Sequence, residues 1–314
     1  MFVVGIDENG LGPVLGPLIV TGSLFRCSER RELGPKTADF FPLRIRDSKR
    51  VFSQRNKAHG ERAVFAMAAL LQRELPGTCR DFLNRFTLQG EEGLRKGCPR
   101  EGEEICWHGD PILPLWSGNP PDPEALGVGR HKLRQALMNQ GLELVDVKSE
   151  VCCVRDFNAL LMERGRSKAG VNFTLFERVI RYFHEQYDTD ILFLCGKNMA
   201  TMRYEAFFGY LEQFPLISKE ESPAASVYRF DGLGEVRFLV DGEEASLPIA
   251  VSSLFGKYLR EVFMERQNAF FAQRIPDLPR FSGYRDRVTK EALRRIGDPT
   301  ETLGVPGECF LRQK

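Results

Sequence analysis

Apolar residues along the chain form two kinds of pattern, short runs typical of buried strands and longer stretches with helical spacing. Strands are predicted at residues 2–6, 18–25, 142–154, 190–195, 227–230 and 235–240. Helices are predicted at residues 53–75, 126–139, 156–163, 172–187 and 247–273. Because strands and helices alternate along the chain, the pattern predicts an α/β domain.

Two regions depart from this alternation. Residues 90–123 are rich in glycine and proline, carry both tryptophans and show no steady period, which predicts an irregular insertion over the surface. The chain beyond Pro276 is basic, with a helix expected to residue 296 and a loop after it. We therefore expect one domain over residues 1–270, with the insertion at about 90–123, and a helical C-terminal part over 271–314 that packs on the same domain.

The composition is that of an ordinary globular chain, with 42% hydrophobic residues, 28% charged residues and a net charge of +1. The apolar run at 15–20 is too short to span a bilayer, and Asp7 and Glu8 interrupt the apolar N-terminus where a signal peptide would lie. We expect a cytoplasmic monomer that does not enter a membrane.

Eight cysteines in a chain of 314 residues indicate reduced thiols rather than a disulfide framework. Cys98, Cys106 and His108 lie together in the proline-rich stretch, and a zinc site there is the minor alternative. It lacks both a CxxC spacing and a second ligand pair.

The most informative polar positions are Asp7 and Glu8, which directly follow the first predicted strand. Strand residues alternate between faces, so two neighbouring acids share one site only if the backbone turns there. Gly10, Gly12 and Gly16 permit such a turn. Two carboxylates at one spot repel each other, and a bound Mg²⁺ or Mn²⁺ would relieve that repulsion. The alternative is a capped turn whose acids are simply solvated.

Four separated blocks of the sequence resemble ribonuclease HII, the type 2 ribonuclease H. They are GIDENGLGPVLGPLIV at 5–20, IRDSKRVFSQRNKA at 45–58, LPIAVSSLFGKYLRE at 247–261 and FSGYRD at 281–286. The blocks follow the order of the family and cover most of the chain apart from the insertion. The resemblance implies an α/β, ribonuclease H-like fold, with a mixed β-sheet flanked by helices and a helical C-terminal extension.

The resemblance also implies an activity, cleavage of the RNA strand of RNA:DNA hybrids or of ribonucleotide-containing duplexes with Mg²⁺ or Mn²⁺. Asp7 and Glu8 match the first two metal-binding acids of the family. Glu243 matches its last acid when the residues are counted back from the long helix, and Asp241 and Glu244 are the alternates if that register slips.

The same resemblance assigns substrate contacts. Gly10, Leu11 and Gly12 would form the loop that senses the ribose 2′-hydroxyl, with Lys49 of the DSK block and Tyr284 completing the substrate-binding set. On the long helix, Ser253 and Lys257 would support the site from beneath.

Two positions depart from the family pattern. Cys195 stands where the family has its third acid, and a neutral thiol is a poor ligand for a hard cation. Leu11 stands where the loop of the family has an arginine. Two functions therefore stay open, a weakened ribonuclease and an inert ribonuclease H-fold protein that binds nucleic acid or a replication or repair partner. A third hypothesis is that such a partner docks on the insertion around Trp107 and Trp116. We expect these tryptophans to pack on the core, which would make the insertion a cover, whereas an exposed patch would make it a docking surface.

Overall fold

The computed structural model describes residues 1–28, 51–52, 56–72, 74–98, 105–118, 123–165, 167–197 and 203–313. Within these ranges seven strands form one sheet, in the order β3-β2-β1-β4-β7-β6-β5. The strands are β1 (Phe2–Asn9), β2 (Leu18–Cys27), β3 (Leu142–Cys152), β4 (Ile191–Gly196), β5 (Leu216–Glu221), β6 (Ala225–Phe230) and β7 (Gly234–Leu239). The sheet is mixed, because β4 runs parallel to both β1 and β7 while the other neighbouring pairs are antiparallel.

Helices cover both faces of the sheet. They are α1 (Lys57–Leu71), α2 (Cys79–Phe86), α3 (Gly90–Arg95), α4 (Pro123–Met138), α5 (Val154–Glu163), α6 (Lys168–Tyr187), α7 (Gly242–Ala245), α8 (Leu247–Ala272), α9 (Arg287–Ile296), α10 (Pro299–Leu303) and α11 (Gly307–Phe310). Apolar residues of α1 and α8 pack on one face, and those of α5 and α6 pack on the other. The predicted mixed sheet with flanking helices and a helical C-terminal part is confirmed. None of the described helices is long and apolar enough to cross a membrane.

The long helix α8 lies unusually close to β1, and Gly5 makes this approach possible. A Cβ atom at Gly5 would stand only 2.1 Å from the backbone carbon of Pro248 at the start of α8. Two hydroxyl groups form hydrogen bonds at this contact between the helix and the sheet. Ser252 donates to the Gly5 carbonyl at 2.8 Å, and Ser23 donates to the Pro248 carbonyl at 2.7 Å. This contact sets α8 directly against the end of β1 that carries the acids.

Several elements differ from the prediction. Strand β1 continues to Asn9 rather than ending at residue 6, because its pairing with β2 extends to Asn9 and Ile19. The edge strand β5 is mostly exposed and so lacks the apolar alternation that marks a half-buried strand. The short helices α2, α3 and α7 were also not predicted, and the loop predicted after residue 296 contains α10 and α11.

The insertion lies against the core rather than forming an exposed patch. Trp107 is buried and meets the ring of Phe263 edge to face, with the ring centroids 5.5 Å apart. Glu61 on α1 is wholly buried and accepts hydrogen bonds from the backbone amides of residues 115–117. The described part of the insertion therefore covers the domain, since Trp107 is buried and Trp116 is partly buried against the same core.

Candidate active site

Asp7 lies on β1, on the face of the sheet that α8 covers. Its side chain is only 7% exposed and accepts a hydrogen bond from the hydroxyl of Ser253 on α8, as predicted for a helix residue beneath the site. Burial raises the pKa of Asp7 well above its ordinary value, and the negative charges of Glu8 and Glu243 raise it further. The hydrogen bond from Ser253 acts in the opposite direction. The fold therefore holds three acids close enough to repel one another.

Glu243 reaches this position through a sharp turn after β7. Asp241 adopts a left-handed backbone conformation with a φ of 51°, and the short helix α7 starts immediately after it. Asp7, Glu8 and Glu243 line an open groove of about 850 Å³. They also line an adjoining pocket, which Asp241 and Glu244 share. The structure thus brings the three predicted acids together, and the two alternates lie at the outer side of the cluster, where both are exposed.

Cys195 is not on the acid-bearing face. It pairs with Ile6 on β1, and both side chains are fully buried in the hydrophobic cluster beneath α6. Side chains alternate along a strand, so the next residue, Gly196, faces Asp7. A Cβ atom at Gly196 would stand 2.6 Å from the Asp7 carboxylate. This corrects the interpretation of Cys195 as the position of a lost ligand, because the β4 position that faces the site is a glycine.

Lys197 follows Gly196 but does not direct its charge at the acids. Its ammonium group donates to the carbonyl of Ser222 at 2.6 Å and to the hydroxyl of Ser226 at 3.3 Å. The ammonium group of Lys197 therefore forms its hydrogen bonds near β6.

The donor chemistry of the site fits Mg²⁺ or Mn²⁺, since Asp7, Glu8 and Glu243 offer only carboxylate oxygens. Within the described ranges, no three His, Cys, Asp or Glu side chains are already gathered in an arrangement that would hold a metal ion. Burial raises the pKa of Asp7, and repulsion among the three acids raises it further. A bound cation would offset this repulsion.

The zinc alternative at Cys98, Cys106 and His108 finds no support in this part of the chain. The two cysteines line a small apolar pocket, whereas His108 packs edge to face against Phe270, with the ring centroids 5.5 Å apart. Among the described side chains, no group of three His, Cys, Asp or Glu residues is placed here to hold a metal ion.

The predicted substrate loop and Tyr284 line the same groove as the acids. Gly10 has a φ of 97°, which favours glycine, and the backbone amides of Val14 and Leu15 donate to the carbonyl of Gly283 at 2.8 and 3.2 Å. The loop is therefore tied to the segment that carries Tyr284. Leu11 lines the groove, and its side chain packs partly against the core. Lys49 lies outside the described residues.

Of the cations that line the groove, Lys257 was predicted to support the site, whereas Lys57, Arg260 and Arg280 were not among the predicted site residues. Lys57 lies 2.7 Å from the carboxylate of Glu261, and Arg280 pairs with Glu265. Arg260 is almost wholly buried, and its guanidinium group lies 5.0 Å from the centroid of the Tyr284 ring. Arg260 and Glu261 close the LPIAVSSLFGKYLRE block, which was the available signal for both residues.

No protein-family profile matches the chain, and no curated protein matches it either. Solved structures of ribonucleases HIII and HII do resemble it. A Q54A variant of Bst-RNase HIII is 15% identical with a TM-score of 0.46, over 98% of this chain and 65% of that chain. RNase H3 of Aquifex aeolicus is 14% identical with a TM-score of 0.45, over 99% and 71% of the two chains. RNase HII of Archaeoglobus fulgidus, solved as a PCNA:RNase HII complex, is 15% identical with a TM-score of 0.39, over 100% and 98%. This chain thus spans a little under two thirds of the Bst protein.

Proposed function

We propose that the chain is a divalent-metal-dependent nuclease of the ribonuclease HII type, which hydrolyses the RNA strand of RNA:DNA hybrids or of duplexes with embedded ribonucleotides. One observation carries the proposal, the convergence of Asp7, Glu8 and Glu243 beside a groove lined by the glycine-rich loop and Tyr284. The sequence resemblance supplies the substrate class.

Mg²⁺ or Mn²⁺ held by Asp7, Glu8 and Glu243 would supply a Lewis acid for the scissile phosphate and lower the pKa of an attacking water. The hydrogen bond from Ser253 and the close contact with α8 hold Asp7 in one position before substrate arrives. Products would carry 5′-phosphate and 3′-hydroxyl ends.

Other residues of the groove would bind the nucleic acid. The backbone of residues 10–12 comes close to a ligand because Gly12 has open space around its Cα atom. Lys57 and Arg280 would exchange their carboxylate partners for phosphates of the duplex. Tyr284 is half-exposed, so its ring and hydroxyl group are available to a sugar.

A second candidate is a protein that binds hybrids without cutting them. The observation that favours it is Gly196, which faces Asp7 and brings no carboxylate from β4. With one acid fewer, the cluster would bind a cation more weakly and stabilise the transition state less.

One experiment separates the two candidates. The purified chain is given an RNA:DNA hybrid, a DNA duplex with a single ribonucleotide and an all-DNA duplex, each with Mg²⁺ and then with Mn²⁺. The nuclease proposal expects cleavage of the first two substrates but not of the all-DNA duplex. Cleavage should be lost in Asp7→Asn. It should be retained in Asp190→Asn, which changes an exposed acid just before β4. Salt-sensitive binding without cleavage would leave only the binding protein, and neither binding nor cleavage would reject both.

A further inference from the structure

Arg312, near the C-terminus, is buried against the glycine loop, which we define as residues 10–17. Its Nε atom donates to the carbonyl of Gly16 at 2.9 Å, and its terminal nitrogens donate to the carbonyls of Gly10 and Gly16. The side chain is 3% exposed, and the guanidinium carbon lies 4.7 Å from the centroid of the Phe157 ring. One side chain thus joins two glycines at opposite ends of the loop.

The segment that carries Arg312 is itself fixed to the body of the protein. The side-chain amide of Asn158 on α5 donates to the carbonyls of Glu308 and Leu311 and accepts from the backbone amide of Gln313. The backbone amide of Arg312 donates to the carbonyl of Val14 at 2.9 Å. Asn158 is 5% exposed, so these hydrogen bonds are protected from water. The guanidinium group is therefore held at a set place behind the loop.

The charge of Arg312 is not cancelled by an ion pair with any carboxylate in the described part of the chain. Its partners are backbone carbonyls. Arg260 lies nearby and is also almost wholly buried, and burial together with the charge of Arg260 lowers the pKa of Arg312. A guanidinium group remains protonated at neutral pH even so. Arg260 lines the groove beside Gly10 and Arg312 lies behind the loop, so two positive charges flank a loop whose own side chain at residue 11 is an uncharged leucine.

The hydrogen bonds also orient the loop. The carbonyls of Gly10 and Gly16 point inward to Arg312, so these two partial negative charges face away from the groove. The loop can then present its amides toward an anion.

We propose that Arg312 is a positioning residue, which holds the glycine loop in its phosphate-binding form and supplies from behind the positive charge that Leu11 does not provide. The inference deepens the proposed function and rests on it. The ligand concerned is the anionic sugar-phosphate backbone of the duplex in the groove.

The test compares Arg312→Lys and Arg312→Gln with Arg295→Lys and Arg295→Gln. Arg295 is a matched control because it too donates to two backbone carbonyls, those of Asp277 and Pro276, but it lies at an exposed position on α9. Three quantities are measured: hydrogen exchange of the loop amides, KM and kcat for the hybrid, and the dissociation constant of the hybrid without cleavage.

A lysine at residue 312 keeps the charge but cannot bond both glycine carbonyls with fixed geometry, since it lacks the planar fork of arginine. We expect exchange of the loop amides to rise about tenfold and KM to rise about tenfold, with kcat changed less than about threefold. Glutamine also removes the charge, so its KM and its dissociation constant should rise further than those of the lysine variant. The Arg295 variants should leave all three quantities unchanged.

The inference is overturned if Arg312→Lys behaves like Arg295→Lys, or if exchange rises equally over the whole chain, which would indicate a purely structural role. Failure of the proposed function gives a different result, because the wild-type chain would then neither bind nor cut the hybrid. This inference alone is rejected if the wild-type chain cuts the hybrid and the Arg312 variants show unchanged KM and unchanged hydrogen exchange of the loop amides.

Discussion

Replacement of Asp7 by asparagine should stabilise the metal-free protein while it abolishes cleavage. Asp7 is buried beside two other acids, so its ionised form is disfavoured in the folded chain. A raised folded-state pKa means that the folded chain binds a proton that the unfolded chain releases, and stability falls as the pH rises above about 4. Asparagine removes this cost, so its stabilising effect should be larger at about pH 7.5 than at about pH 4.

The size of the effect follows from general magnitudes. A single stabilising substitution commonly adds about 0.5–2 kcal/mol to the free energy of unfolding. With an entropy of unfolding of about 2.1 cal/mol/K for each of the 314 residues, 1 kcal/mol corresponds to a shift in Tm of about 1.5 °C. The metal-free Asp7→Asn protein should therefore melt up to about 3 °C above the wild type. Mg²⁺ or Mn²⁺ at about a hundred times its Kd would stabilise the wild type by about 2.7 kcal/mol, which corresponds to about 4 °C.

The assay is thermal unfolding of both proteins in chelator and in excess divalent metal, at two pH values, with hybrid cleavage measured beside it. Asp190→Asn is the matched control, because it removes an exposed aspartate away from the acid cluster. We expect the metal to raise the Tm of the wild type and of the control. The Tm of Asp7→Asn should rise much less. A lower metal-free Tm for Asp7→Asn, or equal metal shifts in all three proteins, would refute the reasoning.

Three further substitutions test other parts of the structure. Cys195→Asp should lower the free energy of unfolding in urea by at least about 3 kcal/mol without any gain in activity, because the new carboxylate would be buried in the core; a gain would contradict the observed register of β4. Glu243→Gln should lower the rate of metal-dependent cleavage about a hundredfold or more, whereas Asp241→Asn should lower it less than about threefold. A larger loss in Asp241→Asn than in Glu243→Gln would place the metal ligand at residue 241. Glu61→Gln should lower the free energy of unfolding, measured by urea titration, by about 2–3 kcal/mol, because the single carbonyl oxygen of an amide accepts three backbone hydrogen bonds poorly. Unchanged stability would show that other contacts hold the insertion.

Much of the architecture could be predicted from local pattern. The apolar run of β4 is buried on both faces, as its composition indicates, and the long periodic stretch that became α8 was predicted almost to its ends. Elements without an apolar pattern were missed. Strand β5 is stabilised by pairing with β6, and α7 is a single turn, so neither depends on a periodic buried face.

The sequence also pointed to the three acids that the fold brings close together, but not to the face of the sheet on which each neighbouring position lies. The comparison of sequences indicated Cys195 as the position where the third acid of the family is missing. In the structure, the parallel pairing of β4 with β1 turns Cys195 toward α6 and leaves Gly196 facing Asp7. A difference of one residue in strand register exchanges the two faces of a sheet. That register is set by contacts between segments far apart in the chain.

By itself the sequence determined where the strands and helices with an apolar pattern form and which residue types could bind a hard cation, because apolar periodicity and side-chain chemistry are local properties. Only the tertiary structure decided that Glu243 reaches Asp7 and that Arg312 lies beneath Gly10 and Gly16. These encounters arise from the turn at Asp241 and from the packing of the last residues against α5. Contacts between distant segments depend on how the elements pack, and no periodicity in either segment encodes them.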